Sequence, residues 1–281
     1  MTQSFLKMHG LGNDFVVLDN RDGSFVLNED RAARIANRRT GVGCDQVISL
    51  EPSRDGDVFM RIHNRDGSPA GACGNATRCI GSLLFDELSR DEVVIETISG
   101  LLRTKKAANG LVTADLGPAR LNWRDIPLAR EFDTLHVPIE MDDGQGHYLE
   151  DAVAVNMGNP HGVMFVDDAE AIDLASIGWD LEHHPNFPER ANMSIVSVLG
   201  QDHVRMRVWE RGGGITLACG SGACAVAVAC HRRGLTGRKL KITMDGGDLW
   251  LEWRESDGHV LMTGPVATSY RGELAPELLS A

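Results

Sequence analysis

The sequence predicts an α+β fold built from two copies of one unit, and three observations carry this prediction. A motif of fifteen residues occurs twice, 146 residues apart. Strand-like segments dominate the chain, and each half adds one strongly apolar helix. The segments do not alternate as strand, helix and strand, which argues against a doubly wound parallel sheet.

The two copies of the motif begin at Met60 and at Met206 and align without a gap. Seven of the fifteen positions are identical, where ordinary composition would give about one. Each copy ends in Ala-Cys-Gly, which contains Cys73 in the first copy and Cys219 in the second. A repeat at a fixed spacing is the signature of a duplicated structural unit, so we expect two such units.

Apolar patterning locates the elements of each half. The predicted strands are 14–18, 46–50, 58–63, 93–98, 111–115, 152–156, 163–166, 194–199, 204–209, 239–244 and 249–253. The predicted helices are 29–37, 75–88, 169–177 and 221–233. The last of them is apolar on nearly every face, which predicts a helix buried among strands. Residues 117–131 contain two prolines and little periodicity, and this predicted linker separates a domain at 1–118 from one at 119–264.

Length and charge exclude several classes of protein. The 281 residues suit two domains. A net charge of -12 argues against nucleic acid and anionic membrane surfaces as partners. The N-terminus lacks a signal-peptide pattern, and no apolar run reaches the ~18 residues of a membrane-spanning helix. We therefore expect a cytoplasmic protein with reduced cysteines and a small-molecule substrate.

Each motif cysteine lies directly before a predicted helix. The unpaired N–H groups and the dipole at a helix N-terminus favour anions, which predicts a lowered thiol pKa and a binding place for a carboxylate. Two thiols on opposite sides of one α-carbon would suit inversion of that centre. One thiolate would remove a proton and the other thiol would return one from the opposite face. Small buried cysteines are the usual alternative, and the duplication at equivalent positions favours the catalytic interpretation.

Other chemistries fit the sequence less well. The remaining cysteines have no cysteine at the repeat offset and are predicted to be core residues; they are Cys44, Cys79, Cys224 and Cys230. Their spacing does not form the usual Cys-x-x-Cys metal pairs. Residues 220–225 formally match a dinucleotide fingerprint, but the first copy of the repeat breaks it at Ala76. Pyridoxal chemistry would need a lysine in the site for the Schiff base, but none of the five lysines lies in the motif blocks. We expect neither a metal nor a cofactor.

Seven motifs together resemble those of the diaminopimelate epimerase family, in order and over nearly the whole chain. They are 12–15 (Gly-Asn-Asp-Phe), 43–46 (Gly-Cys-Asp-Gln), 64–68 (Asn-Arg-Asp-Gly-Ser), 73–75 (Cys-Gly-Asn), 158–161 (Gly-Asn-Pro-His), 209–212 (Trp-Glu-Arg-Gly) and 218–224 (Ala-Cys-Gly-Ser-Gly-Ala-Cys). The resemblance implies a cofactor-independent epimerase that interconverts LL- and meso-2,6-diaminopimelate for lysine and peptidoglycan precursor synthesis. It also implies two pseudo-symmetric domains, each a β-barrel-like sheet around a central helix, with the site in the cleft. The tail 265–281 would pack on the first domain, and the protein would be a homodimer.

The resemblance also implies roles for individual residues. Cys73 and Cys219 would be the acid–base pair, with Cys219 as proton acceptor and Cys73 as donor. Glu210 would bind the reacting ammonium and, with His161, modulate the thiol pKa values, while Arg211 would bind the distal carboxylate. The implied substrate-binding residues are Asn13, Gln46, Asn64, Gly74, Asn75, Asn159, Asn192, Glu210, Arg211, Gly220 and Ser221.

Two departures from the family pattern and two alternative functions remain. Ala76 stands where many members have glycine, and Cys44 replaces a commonly apolar residue.

A proline racemase-like enzyme would use the same two thiols, although Arg211 and the asparagines favour a substrate with two carboxylates. An amino-acid-binding protein without catalysis would also use a polar cleft, but it would not need both cysteines.

Overall fold

The computed structural model describes residues 3–279, and within them the chain forms eighteen strands and five α-helices. The strands are β1 (Gln3–Gly10), β2 (Asn13–Asp19), β3 (Gln46–Glu51), β4 (Val58–Asn64), β5 (Pro69–Ala70), β6 (Glu92–Thr97), β7 (Gly100–Lys106), β8 (Val112–Pro118), β9 (Val137–Asp142), β10 (Tyr148–Asn156), β11 (Pro160–Phe165), β12 (Asn192–Gly200), β13 (His203–Glu210), β14 (Gly214–Ile215), β15 (Lys239–Met244), β16 (Gly247–Trp253), β17 (His259–Gly264) and β18 (Ala267–Leu274). The helices are α1 (Glu29–Ala36), α2 (Gly74–Leu88), α3 (Leu174–Glu182), α4 (Gly220–Arg232) and α5 (Pro276–Leu279). No helix in this range has the length and apolar content to cross a membrane.

The chain divides into two compact units. The first unit runs up to Ala114 and also includes the segment from Gly264 onward, and the second unit is Asp115–Thr263. In the first unit, β2 pairs parallel with β3, β3 antiparallel with β4, β4 parallel with β6, and β6 antiparallel with β7. Strand β1 lies between β2 and β18, antiparallel to both. The late strand β18 thereby completes the sheet of the first unit.

The second unit repeats this pairing pattern strand for strand. Here β11 pairs parallel with β12, β12 antiparallel with β13, β13 parallel with β15, and β15 antiparallel with β16. Strand β10 pairs antiparallel with two strands, through residues 148–152 with β9 and through residues 153–156 with β11. The register repeats too, because Phe15 opposes Gln46 in the first unit and His161 opposes Asn192 in the second, each pair separated from its counterpart by 146 residues. The α+β class with mixed pairing and two equivalent units is confirmed.

One apolar helix lies among the strands of each unit, as the sequence predicts. Helix α4 contacts β10, β11, β12, β13, β15 and β16, and ten of its residues are buried. Small side chains such as Ala225 and Ala229 allow the surrounding strands to approach the helix closely. Helix α2 contacts β1, β6 and β7, and its Ile80 and Leu84 are fully buried. The burial of these helices fixes the direction of their N-termini within each unit.

The structure corrects some predicted elements. The helix predicted at 169–177 instead begins at Leu174, because Asp173 is its N-cap and accepts from the Ser176 N–H. Strands β1, β7, β9, β17 and β18 were not predicted, since β7 and β18 are mostly exposed and lack apolar alternation. The predicted linker at 117–131 is largely irregular, yet its Ile126 and Leu128 pack in the core of the second unit.

Candidate active site

Both motif cysteines occupy the N-cap position of a buried helix. Cys73 precedes α2 with φ -147° and ψ 115°, and Cys219 precedes α4 with φ -122° and ψ 109°. These extended backbones direct the first N–H groups of each helix toward the space beside the thiol. The predicted placement of the two thiols at helix N-termini is therefore confirmed, one in each unit.

In the first unit, Cys73 lies in a cluster of amide side chains. The Cys73 thiol donates to Asn13 Oδ1 at a sulfur–oxygen distance of 3.8 Å. The same oxygen accepts from Asn75 Nδ2 at 3.1 Å, and Asn75 Oδ1 accepts from Arg78 Nη2 at 3.0 Å. Arg78 is fully buried although it is charged. Cys73, Asn13 and Asn75, all predicted site residues, are thus brought together, with Gly74 between two of them in the chain.

A network of charged side chains supports Asn13 from the other side. Asn13 Nδ2 donates to Asp45 Oδ2 at 3.0 Å, and Asp45 Oδ1 accepts from Arg38 at 2.7 Å. The adjacent Asp14 also binds Arg38, and it binds Lys7 at 2.6 Å. Burial would raise the pKa of Asp14, but the hydrogen bonds from Arg38 and Lys7 lower it to about 2. This network anchors the loop that carries Asn13.

Gln46 and Asn64 form a second amide pair in the first unit. They oppose each other on β3 and β4, and Gln46 Nε2 donates to Asn64 Oδ1 at 3.0 Å. Asn64 Nδ2 in turn donates to Ser68 Oγ at 3.2 Å. The buried oxygen of Gln46 has no hydrogen-bond partner among residues 3–279. That oxygen is an acceptor suited to a donor such as an ammonium group.

In the second unit, Cys219 has different surroundings. Its side chain is 5 % exposed, and its sulfur accepts from the Gly222 N–H at 3.4 Å and lies 3.7 Å from Ser221 Oγ. Burial and the negative charge of Glu210 raise the pKa of the Cys219 thiol well above its usual value. The Gly222 N–H and the Ser221 hydroxyl lower it, but by less. The N–H at the helix N-terminus therefore acts in the predicted direction, but the predicted net lowering of the thiol pKa is wrong for Cys219, because burial and Glu210 outweigh it.

Glu210 is the acidic group that faces Cys219. It ends β13, and its Oε1 accepts from Thr216 Oγ1 at 2.5 Å. It also takes part in a hydrogen bond with Cys219 that favours the protonated thiol. The residue at the equivalent place in the first unit is the neutral Asn64. The prediction that Glu210 modulates a thiol pKa therefore agrees with the electrostatics of Cys219.

The other predicted residues of the second unit form a polar group around His161. His161 is fully buried, and its Nε2 lies 2.9 Å from Asn159 Oδ1. Burial, with a contribution from the charge of Arg211, lowers the pKa of His161 to about 3, so the ring is neutral. Asn192 Oδ1 accepts from the backbone N–H of Arg211 at 2.9 Å, and the Arg211 guanidinium donates to the Glu189 carbonyl at 3.1 Å. A direct influence of His161 on a thiol stays a prediction.

The four remaining cysteines are all buried. Burial raises the pKa of Cys44, Cys79 and Cys230 to about 12 in each case. Cys44 packs with α1 side chains such as Ala32 and Ile35. These environments agree with the prediction that the four are core residues. Within the part of the chain that the structure describes, no group of three or more His, Cys, Asp and Glu side chains is arranged to hold a metal ion.

Sequence reasoning missed two charged residues beside the predicted site, Asp45 and Arg78. Asp45 lies inside the 43–46 motif and Arg78 inside the predicted helix 75–88, but neither position is duplicated, since residue 191 is alanine and residue 224 is cysteine. Arg78 could have been found by asking why a charged residue stands in a helix that the family resemblance places at the centre of its domain. Asp45 carried no comparable signal, because acidic residues in loops are common.

Comparisons with known proteins identify one family that covers both halves of the chain. The family model described as diaminopimelate epimerase matches residues 5–122 and 153–269. A protein of Rhodospirillum centenum named diaminopimelate epimerase is 60% identical over 281 residues, covering 99% of this chain and 94% of that protein. One from Acidiphilium cryptum with the same name is 50% identical over 276 residues, covering 98% of each.

Solved structures share the fold at much lower identity. A phenazine biosynthesis protein of Bacillus anthracis matches with a TM-score of 0.70 and 16% identity, covering 98% of this chain and 99% of that one. A hydroxyproline epimerase of Agrobacterium vitis, solved with trans-4-hydroxy-L-proline, matches with a TM-score of 0.66 and 14% identity over 98% and 92% of the two chains. These two likenesses concern the fold alone. The family model and the close relatives show more, namely that this chain belongs to the diaminopimelate epimerase family.

Proposed function

We propose that this protein is an isomerase that interconverts LL- and meso-2,6-diaminopimelate, in the synthesis of lysine and of peptidoglycan precursors. The observation that carries the proposal is the pair of helix-capping thiols at equivalent positions, in a chain 60% identical to a protein named diaminopimelate epimerase. Epimerisation needs an acid and a base on opposite faces of one carbon, and a duplicated thiol supplies one group for each face.

The proposed reaction uses Cys219 and Cys73 in turn. The Cys219 thiolate removes the α-proton, and the Cys73 thiol gives its proton to the opposite face of the carbanion. The roles exchange in the reverse direction. The N–H groups that begin α2 and α4, at Gly74–Asn75 and Gly220–Ser221, would bind the reacting carboxylate. They would stabilise the charge that moves into that carboxylate in the transition state.

Because burial and Glu210 raise the pKa of Cys219, we propose that the substrate helps to activate this thiol. Glu210 favours the protonated thiol because its negative charge opposes a thiolate nearby. An α-ammonium bound to Glu210 would offset that charge and would lower the Cys219 pKa. Proton abstraction would then be possible mainly when substrate is bound, which would protect the thiolate from unwanted reactions in the free enzyme.

The distal end of the substrate would be recognised by polar side chains of both repeats. A guanidinium has a planar fork of N–H donors that suits a second carboxylate, and this is the role proposed for Arg211. The amides of Asn13, Gln46, Asn64, Asn159 and Asn192 can each accept from an ammonium or donate to a carboxylate. A substrate with one carboxylate, such as proline, would leave Arg211 without its partner.

Three further properties belong to this proposal. The protein would work without a cofactor, because thiols and helix N-termini already supply the acid, the base and the stabilisation of charge. It would be a homodimer, which sedimentation at several protein concentrations can test. It would act in the cytoplasm, where its six cysteines would stay reduced.

The proposed activity is tested by incubating the purified protein with LL-diaminopimelate and separating the stereoisomers by chromatography. We expect meso product, and no inversion of L-proline under the same conditions. Inversion of proline but not of diaminopimelate would favour a proline racemase-like enzyme. Tight binding of diaminopimelate without any inversion would favour an amino-acid-binding protein.

A further inference from the structure

The amides beside Cys73 belong to a chain of hydrogen bonds whose two ends are charged. At one end, Arg78 Nη2 donates to Asn75 Oδ1 at 3.0 Å. Asn75 Nδ2 donates to Asn13 Oδ1 at 3.1 Å, and Asn13 Nδ2 donates to Asp45 Oδ2 at 3.0 Å. Every bond of this chain runs in the same direction, from the guanidinium to the carboxylate.

An asparagine amide can usually be turned with either its oxygen or its NH₂ group toward a neighbour, and the two charged ends fix which way each amide points. A guanidinium can only donate and a carboxylate can only accept, whereas an amide presents an NH₂ group on one side and an oxygen on the other. Arg78 therefore requires the oxygen of Asn75, and Asp45 requires the NH₂ group of Asn13. With both amides fixed, Asn13 must turn its oxygen toward Cys73.

The Cys73 thiol lies against that oxygen. Its sulfur is 3.8 Å from Asn13 Oδ1, which can only accept, so Cys73 must contribute the proton of this contact. A thiolate in the same place would face the negative end of the amide dipole. Hydrogen bonding to the protonated form of a group favours that form.

Room for the buried guanidinium is built into β1. A Cβ atom at Gly10 would lie 3.0 Å from Arg78 Nη2 and 3.4 Å from Asn75 Cβ. The absence of a side chain at Gly10 thus lets Arg78 reach Asn75. Asn75 is itself 2 % exposed, so water competes little for its hydrogen bonds.

The second unit does not repeat this series of hydrogen bonds. The positions equivalent to Asp45 and Arg78 hold Ala191 and Cys224. Asn159, the counterpart of Asn13, is paired with His161 instead, and the Cys219 sulfur accepts from a backbone N–H. The duplication has kept the thiol and changed the groups that orient its neighbours.

We propose that Asp45 and Arg78 are positioning residues for Cys73, which fix the Asn75 and Asn13 amides so that an oxygen always faces the thiol and selects its proton-donating form. This inference rests on the proposed function for its catalytic meaning. Neither residue needs to contact the substrate, because each acts through an asparagine.

The effect of other charged groups near these hydrogen bonds on the Cys73 thiol must be separated from the effect of the amide orientation. In the first unit they are Lys7 and His9 on β1, Asp14 on β2, Arg38 in the loop before β3, and Cys79 on α2. Asp14 provides the matched control, because it binds Lys7 and Arg38 in the same network but does not bind the Asn13 side chain. Asp14→Asn removes one negative charge and leaves Asp45 to orient Asn13.

The experiment measures how fast iodoacetamide alkylates Cys73 as a function of pH, with mass spectrometry to identify the labelled cysteine. In Asp45→Asn the new amide can also donate, so the Asn13 NH₂ group loses its fixed acceptor. Asn13 can then turn that group to the sulfur and stabilise the thiolate, at the loss of the hydrogen bond from Asn75 Nδ2. We expect the midpoint of alkylation to fall by about one pH unit in Asp45→Asn, and to change much less in Asp14→Asn. An equal shift in both variants, or none in Asp45→Asn, would overturn the proposal.

The role of Arg78 is tested by a pair of variants that differ in whether the new side chain can accept a hydrogen bond. Arg78→Gln can accept as well as donate and should release the Asn75 amide, whereas Arg78→Lys can only donate and should keep the wild-type midpoint. Equal midpoints for these two variants, at matched thermal stability, would contradict the role given to Arg78. Alkylation needs no substrate, so these outcomes are independent of whether wild-type protein epimerises diaminopimelate, which is tested separately by turnover.

Discussion

The surroundings of Cys73 and Cys219 differ although the two units share one fold and one register. Cys73 is partly exposed and donates to the oxygen of Asn13. Cys219 is buried, accepts from the N–H of Gly222, and faces the carboxylate of Glu210. The backbone places each thiol at a helix N-terminus, but the groups beside the two thiols differ: a neutral amide oxygen accepts from Cys73, whereas Cys219 has a backbone N–H and a carboxylate next to it.

Under the proposed mechanism, the duplicated positions would supply one thiol for each face of the substrate, and the unmatched positions would give the two thiols different surroundings. Where the first unit has the neutral Asn64, the second has Glu210, and where the first has Arg78, the second has Cys224. A helix N-terminus alone is not enough to lower a thiol pKa, because burial and one nearby carboxylate outweigh it at Cys219. The following predictions test each side of the comparison.

The largest effect is expected from removing either thiol. Cys73→Ala and Cys219→Ala should each lower kcat for diaminopimelate epimerisation by about 10²- to 10⁴-fold, the usual contribution of a general acid or base. Turnover is to be measured in both directions, starting from the LL and from the meso isomer. Near wild-type turnover in either variant would remove that thiol from the mechanism.

The next effect concerns Glu210, the carboxylate that faces Cys219. In Glu210→Gln the negative charge is lost, so the Cys219 pKa should fall, and thiolate absorbance should appear at lower pH in the substrate-free protein. At the same time kcat/KM should fall by about 10- to 100-fold, since the substrate ammonium loses a charged partner. Thr216→Val is the control, because it removes the hydroxyl that donates to Glu210 and keeps the charge. A Cys219 pKa that is unchanged or higher in Glu210→Gln would contradict the comparison.

A smaller effect is expected from the buried histidine of the second unit. The pKa of His161 is about 3 in the folded protein and near 6.5 when unfolded, so unfolding takes up a proton below pH 6.5. Its contribution to stability is present above that pH and is lost as the pH falls toward 3. Between pH 6.5 and 5 this amounts to about 2 kcal/mol. His161→Phe, which copies Phe15 of the first unit, should reduce the pH dependence of the free energy of urea unfolding by that amount, and an unchanged dependence would refute the neutral buried ring.

The smallest effect is expected at Cys44, which lies near Gln46 in sequence but packs in the core with α1. Cys44→Ala should keep substantial turnover and should lower the free energy of unfolding by about 1 kcal/mol. Both quantities are measured on the same preparation. A loss of turnover as deep as that of Cys73→Ala would show that the two-thiol assignment is incomplete.

The sequence predicted those parts of the fold that depend on local pattern and on the repeat. Strand β15 and helix α2 are within one residue of their predicted bounds, because alternating or helical periodicity marks them. Strand β18 was missed, since it is exposed along most of its length and pairs with β1 from the opposite end of the chain. Helix α3 was misplaced because the Asp173 cap was not recognised.

The same limits apply to the candidate site. The repeat located both cysteines, and the structure gives each the predicted N-cap position. The pKa of Cys219 could not be predicted, because it depends on burial and on the place of the Glu210 side chain, neither of which is visible in spacing. The roles of Asp45 and Arg78 depend on the direction of two amides, which only the side-chain hydrogen bonds of the folded unit define.

The most direct test of the two-thiol account follows deuterium during the first few per cent of turnover in heavy water. A thiol carries one proton, so the group that takes the α-proton can return only that same proton to its own face, while the opposite thiol delivers deuterium from solvent. We predict deuterium at the α-carbon of the product and almost none in the recovered substrate, from either isomer. Equal deuterium in substrate and product would indicate one base serving both faces and would contradict the account.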